Sequence, residues 1–458
     1  MAHRTARLTC LTAGVLLGAW PAHAQVPAPG NYDSNLLGGM DGVRPALAAH
    51  GLSLTVTDTS EVLGNPTGGL RQAGVFEGMG FASLSLDGGS AGLPWDGFSA
   101  LVSAWGIYGR GLSGDALHGL DTISNVEADR SLRLFEMWIE QSFLQGKISV
   151  RIGQQSADQE FIVDQYAAVL VNGDYGFPDL PSNDLPSGGP AYPFGTPAVR
   201  VKATPSDSVT VLAALFNGDP APPAPANGPA DDPQGRDNSG TNFRTDGGAL
   251  WFAELQYARN QGDHAAGLPA QYKIGGWYHS SPFADQRLDT LGVSLASPAS
   301  NGKPLMRHGD FSLYALADQT VWKSEGGPSS VGVFLRAMGA PSDRNLVDYS
   351  VEGGANWQAP FASRPNDVAA LGFEWVRVSD SASELDGDRA LYSGHKMPVR
   401  RWEAEFELTY QAQVVAGWQV QPDIQYVVRP GGGIPDPADP ARRVGDELVL
   451  GLRSILTF

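Results

Sequence analysis

Two stretches near the C-terminal end alternate apolar side chains with charged or amide ones, position by position. Trp402, Ala404, Phe406, Leu408 and Tyr410 interleave with Glu403, Glu405, Glu407, Thr409 and Gln411, and Trp418, Val420, Ile424, Tyr426 and Val428 interleave with Gln419, Gln421, Asp423, Gln425 and Arg429. A repeat of two puts successive side chains on opposite faces of a strand and does not fit a helix. The polar face holds too many carboxylates for a dry core. The apolar face begins and ends on aromatics, the pattern of a strand that crosses a bilayer between two interfacial girdles. Such strands build the wall of a water-filled pore.

The N-terminus indicates where the wall stands. His3, Arg4 and Arg7 precede an apolar run from Leu8 to Trp20, and Ala22, His23 and Ala24 form a small-residue cleavage site, so export with cleavage after Ala24 is expected. Residues 1–24 are then a signal peptide, 25–50 an N-terminal periplasmic segment and 51–458 the barrel. The single cysteine, Cys10, leaves with the signal, so neither disulfides nor thiol chemistry is expected. No later segment reaches the ~18 uninterrupted apolar residues of a membrane helix, which leaves spanning to strands.

Losing Arg4 and Arg7 takes the formal charge from −18 to −20, the opposite of the basic footprint a nucleic-acid binder carries. A chain of 458 residues would fill about three domains at ~150 residues each, yet no linker divides it. Strand-like segments recur instead near 51–60, 73–86, 97–110, 131–144, 147–154, 195–204, 208–217, 248–259, 270–279, 311–322, 331–339, 347–358, 368–378, 402–413, 418–429 and 445–458. That makes about sixteen, an even number as in single-chain outer-membrane barrels. Short connections (Gln145-Gly146, Pro205 to Asp207, Val415 to Gly417) alternate with long ones (Gly111 to Arg130, Gln155 to Phe194, Gly218 to Gly247, Ser280 to Asp310, Ser379 to Arg401). Short periplasmic turns and long external loops have this rhythm. The expected fold is all-β, one transmembrane antiparallel barrel.

Parity also sorts the lumen. Segment 131–144 sets Glu136, Trp138 and Glu140 against Phe135, Met137, Ile139 and Phe143, with Arg133 on the lipid parity, where a bulge or a position near the interface would accommodate it. Segments 147–154 and 195–204 turn Lys147, Arg151, Arg200 and Lys202 inward. The proline-rich run from Gly218 to Gly235 reads as extended surface loop. The acidic stretch Ser379 to Asp388 matches no EF-hand spacing and reads as a solvated loop without a metal; no cofactor is expected anywhere.

Several of these stretches resemble the carbohydrate-selective porins of the OprB type found in Gram-negative outer membranes. The likeness is carried by Lys147 to Phe161 (KISVRIGQQSADQEF), Glu405 to Gln413 (EFELTYQAQ), Trp418 to Gly432 (WQVQPDIQYVVRPGG) and the end Leu448 to Phe458. A terminal Phe458 is shared by many outer-membrane barrels and is what their assembly machinery reads. The resemblance implies a sixteen-stranded barrel in the outer membrane, an inward-folded loop that narrows the pore, and a preference for glucose-like sugars. Related porins are monomers or homo-trimers, and both states stay open.

The third external connection, Gln155 to Phe194, is long enough to need packing or a function, and carries Asp158, Glu160, Phe161, Asp164, Tyr166, Asp174, Tyr175 and Phe177. Folded inward, it would face Arg151, Arg200, Lys202, Lys147, Glu136, Trp138 and Glu140, with Glu405, Glu407 and Asp423 as further pore-lining candidates. Guanidinium forks and carboxylates can bond sugar hydroxyls while an aromatic ring covers a sugar's C–H face. For any one of these residues, pairing with a neighbouring charge is an equal alternative. The rival functions are a cation-preferring diffusion porin, suggested by the net charge, a lipid-hydrolysing barrel and a secreted lectin. His50, His118, His264, His279, His308 and His395 are scattered, and no G-x-S-x-G or H-E-x-x-H occurs, so no enzyme is expected.

Overall fold

The computed structural model describes residues 32–224, 232–261, 265 and 267–458; the expected signal peptide lies outside them. The inferred strands all appear: β1 (Leu52–Thr67), β2 (Gly74–Asp87), β3 (Phe98–Gly109), β4 (Ser131–Phe143), β5 (Ile148–Gln155), β6 (Thr196–Ser206), β7 (Val209–Asn217), β8 (Ala249–Arg259), β9 (Ala270–Asp289), β10 (Pro304–Lys323), β11 (Ser330–Gly339), β12 (Val347–Gln358), β13 (Val368–Val378), β14 (Trp402–Val415), β15 (Trp418–Val428), then a small hairpin β16 (Pro435–Asp436) and β17 (Asp439–Arg443), and finally β18 (Glu447–Thr457). Sixteen of them close one antiparallel barrel in chain order, and β1 meets β18 from Thr57↔Thr457 to Thr67↔Leu448. Closure leaves no unpaired edge in the hydrocarbon layer, where an open N–H or C=O would be costly.

The alternation seen in the sequence decides which face meets lipid. Phe406, Leu408, Ile424, Tyr426, Leu450 and Leu452 are exposed on the outside, while Glu403, Glu405, Glu407, Gln421, Asp423 and Gln425 are buried inside. Arg133 is also inside, 1% exposed. A bulge puts it there: pairing of β3 with β4 shifts between Val102 and Ala104, so Phe135 and Glu136 together oppose Ser103. The same bulge corrects the place of Phe135, which parity gave to the lipid; it packs inside against Trp105, 5.0 Å between ring centres.

Strands β9 and β10 have 20 residues each, about twice what a tilted crossing requires. They run on past the bilayer as a ribbon, so the long connection expected from Ser280 to Asp310 shrinks to 290–303. The Ser379 to Asp388 stretch, expected as solvated loop, opens the helix Asp380–Ser393, capped by the Ser379 side chain accepting from Ala382 N at 3.2 Å. That helix leans on the ribbon through Arg287, which pairs with Asp388 at 2.8 Å and with Glu384. Of the proline-rich run, 225–231 lie outside the described residues. At the opposite rim the 32–51 segment folds against the barrel end, where Leu36 N donates to Thr457 O at 2.7 Å and Arg44 donates to the Phe458 carbonyl.

The external connections are labelled L1 (68–73), L2 (110–130), L3 (156–195), L4 (218–248), L5 (290–303), L6 (340–346), L7 (379–401) and L8 (429–446). L3 is the third, as expected, and folds inward with L2. The apolar clusters of the molecule form where these loops meet the wall: Phe161, Ile162 and Leu180 of L3 pack with Phe216, Phe252 and Trp277, and Leu112, Ala116 and Leu117 of L2 pack with Leu63 and Val449.

Phe406 stands on the lipid face beside Phe373, 5.1 Å between ring centres. Phe406→Arg should cost about 2–4 kcal/mol if the site is near the midplane, read as a lowered urea midpoint in heat-modifiable gel migration after refolding into lipid. An unchanged midpoint would put Phe406 outside the hydrocarbon layer.

Candidate functional site

Gly153 lies in the last stretch of pairing before L3 leaves the wall. Its φ is +144°, and a Cβ there would lie 2.2 Å from Met137 O, so only glycine fits this place in β5, two residues before the strand ends at Gln155. The base of the loop is then tied: Ser156 N donates to Glu136 Oε1 at 3.1 Å, Ala157 N to Pro190 O at 2.6 Å, and Tyr192 N to Asp158 Oδ2 at 2.8 Å.

From there L3 travels round the inner wall, and wall side chains receive its backbone. Ile162 N donates to Glu254 Oε2 at 3.0 Å and Gln165 N to Asp318 Oδ2 at 3.1 Å. Arg336 donates to Ile162 O at 3.0 Å and Asp174 O at 2.6 Å. Val171 N and Asn172 N both donate to the Glu407 carboxylate, at 2.7 and 3.0 Å, and Tyr175 OH donates to Glu405 Oε2 at 3.0 Å. L2 covers the remaining arc: Leu120 N donates to Glu403 at 3.0 Å, and Arg453, paired with Glu61 at 2.6 Å, donates to Ser124 Oγ and Asn125 Oδ1 at 3.0 Å each. The loops also bond each other, Gly173 N to Thr122 O and Asn125 N to Val171 O, both 2.8 Å. A loop inside a barrel must find partners for its amides, and the wall carboxylates are those partners.

The arc from β4 to β6 stays differently arranged. Arg200 pairs with Glu140 at 2.7 Å and with L3's Glu160 at 2.5 Å, and donates to Ser149 Oγ at 2.7 Å. Arg151 pairs with Glu140 at 2.8 Å and Glu160 at 3.4 Å, and its guanidinium lies 3.9 Å from the Trp138 ring centre. Four of the sequence-selected residues, Arg151, Arg200, Glu140 and Trp138, therefore meet in one group, with Glu136 just above it under Ser156. The other candidates lie elsewhere. Lys147 is exposed in the turn 144–147; Lys202 borders a cavity below L3; Glu405, Glu407 and Asp423 are buried, Glu405 and Glu407 bonded to L3 and Asp423 bonded by Gln425 at 2.8 Å.

Two cavities flank the loop. The outer, about 320 Å³, is lined by L2 and L3, including Asp121, Gln159, Val163, Asp179, Tyr192 and Phe194. The inner, about 180 Å³, is lined by Gln159, Glu160, Val163, Lys202, Gln256, Gln271 and Lys273. Gln159 and Val163 border both, so this turn of L3 stands between them. Gln256, Gln271 and Lys273 were not singled out from the sequence, although the parity argument applied to 248–259 and 270–279 turns them inward.

With this geometry the comparisons can be placed. The family described as "Carbohydrate-selective porin, OprB family" matches residues 88–458. The chain belongs to that family. It is an outer-membrane channel, which removes the hydrolase and lectin readings. Porin B of Pseudomonas aeruginosa is 26% identical over 318 residues, 66% of this chain and 64% of that relative's own length. The high-pH structure of Pseudomonas putida OprB superposes with a TM-score of 0.81 at 22% identity, covering 94% of this chain and all of that one. The low-pH structure of the same protein gives 0.54 at 15% identity. At these identities the structures carry the fold alone.

Glu407→Ala should leave the Val171 and Asn172 N–H groups buried without an acceptor, at about 1–3 kcal/mol each. Single-channel conductance and open-channel noise in planar bilayers should rise as L3 loosens, with unheated gel mobility still reporting a closed barrel. Traces identical to the parent would mean that L3 is held without Glu407.

Proposed function

We propose that this porin admits small neutral sugars of the glucose class by passive diffusion, and that selection occurs where L3 crosses Arg151, Arg200, Glu140, Glu160 and Trp138. The observation that carries the reading is the makeup of this group beside the turn of L3 that stands between the two cavities: two guanidiniums matched by two carboxylates, with an aromatic ring at one end. Charge cancels within it, so the group has no preference for an ion over a hydroxylated neutral solute. It still offers donors and acceptors in the alternating supply that a hexose edge requires. Lys202 and Lys273 add positive charge at the inner cavity.

The cation-preferring reading is less well supported. It rests on net charge, but Glu403, Glu405 and Glu407 are buried and accept hydrogen bonds from L2 and L3. Export by cleavage after Ala24 and recognition of Phe458 by the barrel-assembly machinery belong to the same proposal.

Arg151→Ala removes a charged donor worth roughly 1.5–3 kcal/mol, so apparent sugar affinity should fall about tenfold or somewhat more while ion conductance holds or rises. Liposome swelling with glucose against longer maltodextrins checks this, and unchanged discrimination would place selection elsewhere. Under a salt gradient the parent should show a reversal potential near zero, reduced conductance on adding glucose, and recovery on washing. A strong cation potential without glucose block would favour the unselective alternative.

A further inference from the structure

Beside the carboxylates whose oxygens are taken up by loop amides stands a second set in which each group keeps one buried oxygen without a hydrogen bond, although Asp174 Oδ1 accepts from Asp179 N. Asp174 and Asp179 of L3 and Glu374 of β13 come together inside the barrel, one oxygen from each within 4.8 Å of the other two. Each is buried to 2% exposure or less. Each also carries an oxygen with no hydrogen-bond partner: Asp174 Oδ2, Asp179 Oδ2 and Glu374 Oε1. Among the described residues no Lys or Arg forms an ion pair with Asp179 or Glu374. The nearest guanidinium, Arg336, stands 3.8 Å from Asp174 Oδ2, and its hydrogen bonds go to Glu352, Ile162 O and Asp174 O. Negative charge is denser still on the adjoining strands, where Glu352 and Glu405 flank Glu374 in register.

We propose that Asp174, Asp179 and Glu374 hold a hard divalent cation of the Ca²⁺ class, which clips L3 to strand β13. A Ca²⁺ ion touches oxygens at about 2.3–2.6 Å, so two ligands on opposite sides of it lie up to about 5 Å apart, matching the spacing of the three carboxylates. The donors are oxygens alone, without His or Cys, which selects a hard ion over Zn²⁺ or Cu²⁺. Three carboxylates leave room for water in a coordination shell of six to eight. An entry path exists, because Asp179 also borders the outer cavity. The site stands apart from the sugar reading, since glucose discrimination plays no part in it.

The test uses the full mature chain refolded in detergent after EDTA treatment, with closure checked by heat-modifiable migration. Tb³⁺ is added with excitation of tyrosine, Tyr175 being the residue next to Asp174, and then displaced by Ca²⁺. One saturable site per chain is expected, with Ca²⁺ displacing at about 10⁻⁴–10⁻³ M at pH 8. Glu374→Gln and Asp179→Asn, both isosteric, should each weaken it at least tenfold. Glu384→Gln, on the external helix, should leave it unchanged. The proposal is overturned if the folded parent shows no saturable site up to about 10 mM, or if both isosteric variants bind like the parent, since the three carboxylates then share protons instead of an ion.

Discussion

Carboxylates on the inner wall accepting backbone N–H groups from inserted loops are the interaction on which the rest of this molecule depends. A β-barrel of sixteen strands is wide, and without a filling its lumen would pass solutes by size alone. Filling it with irregular chain creates a second problem, since each loop amide removed from water needs an acceptor. Glu254 takes one such amide, and Asp318, Glu403 and Glu407 take two each. Two oxygens on each carboxyl group let one side chain meet neighbouring amides of a loop. The acidic composition that first suggested cation traffic is thus largely structural.

Strand parity explains why the wall was legible from residue order. Once Trp402 to Gln411 and Trp418 to Arg429 were assigned to strands, inside and outside followed, and Arg151, Arg200, Glu140 and Trp138 fell on one side of adjoining strands. Their meeting is a register consequence: Glu140 opposes Arg151, and Arg151 opposes Arg200. Arg133 and Phe135 show where parity fails, because one extra residue opposite Ser103 exchanges the two faces; the charge of Arg133 on the lipid parity is the mark of it in the sequence, while Phe135 carries none.

The lumen filling was less legible, for a different physical reason. Parity says that Glu405 points inward but not at which depth a loop will pass it. The docking of L2 beside L3 depends on contacts such as Leu120 to Glu403, 283 residues apart, which no local pattern encodes. The ribbon of β9 and β10 was hidden too: Pro282 and the charges of Asp285 and Arg287 read as loop, yet outside the bilayer a paired ribbon is free to be polar on both faces.

The seam of the barrel has one more consequence. Glu61 lies on the first strand and Arg453 on the last, and together they form the cradle that takes Ser124 and Asn125 of L2. That cradle does not exist on either strand alone; it comes into being only when the two ends of the sheet have joined. L2 therefore has no complete seat in an open sheet, and L3, which leans on L2 through Thr122 and Asn125, lacks part of its own. Narrowing of the channel is thereby coupled to closure of the sheet, with the seam as the latch.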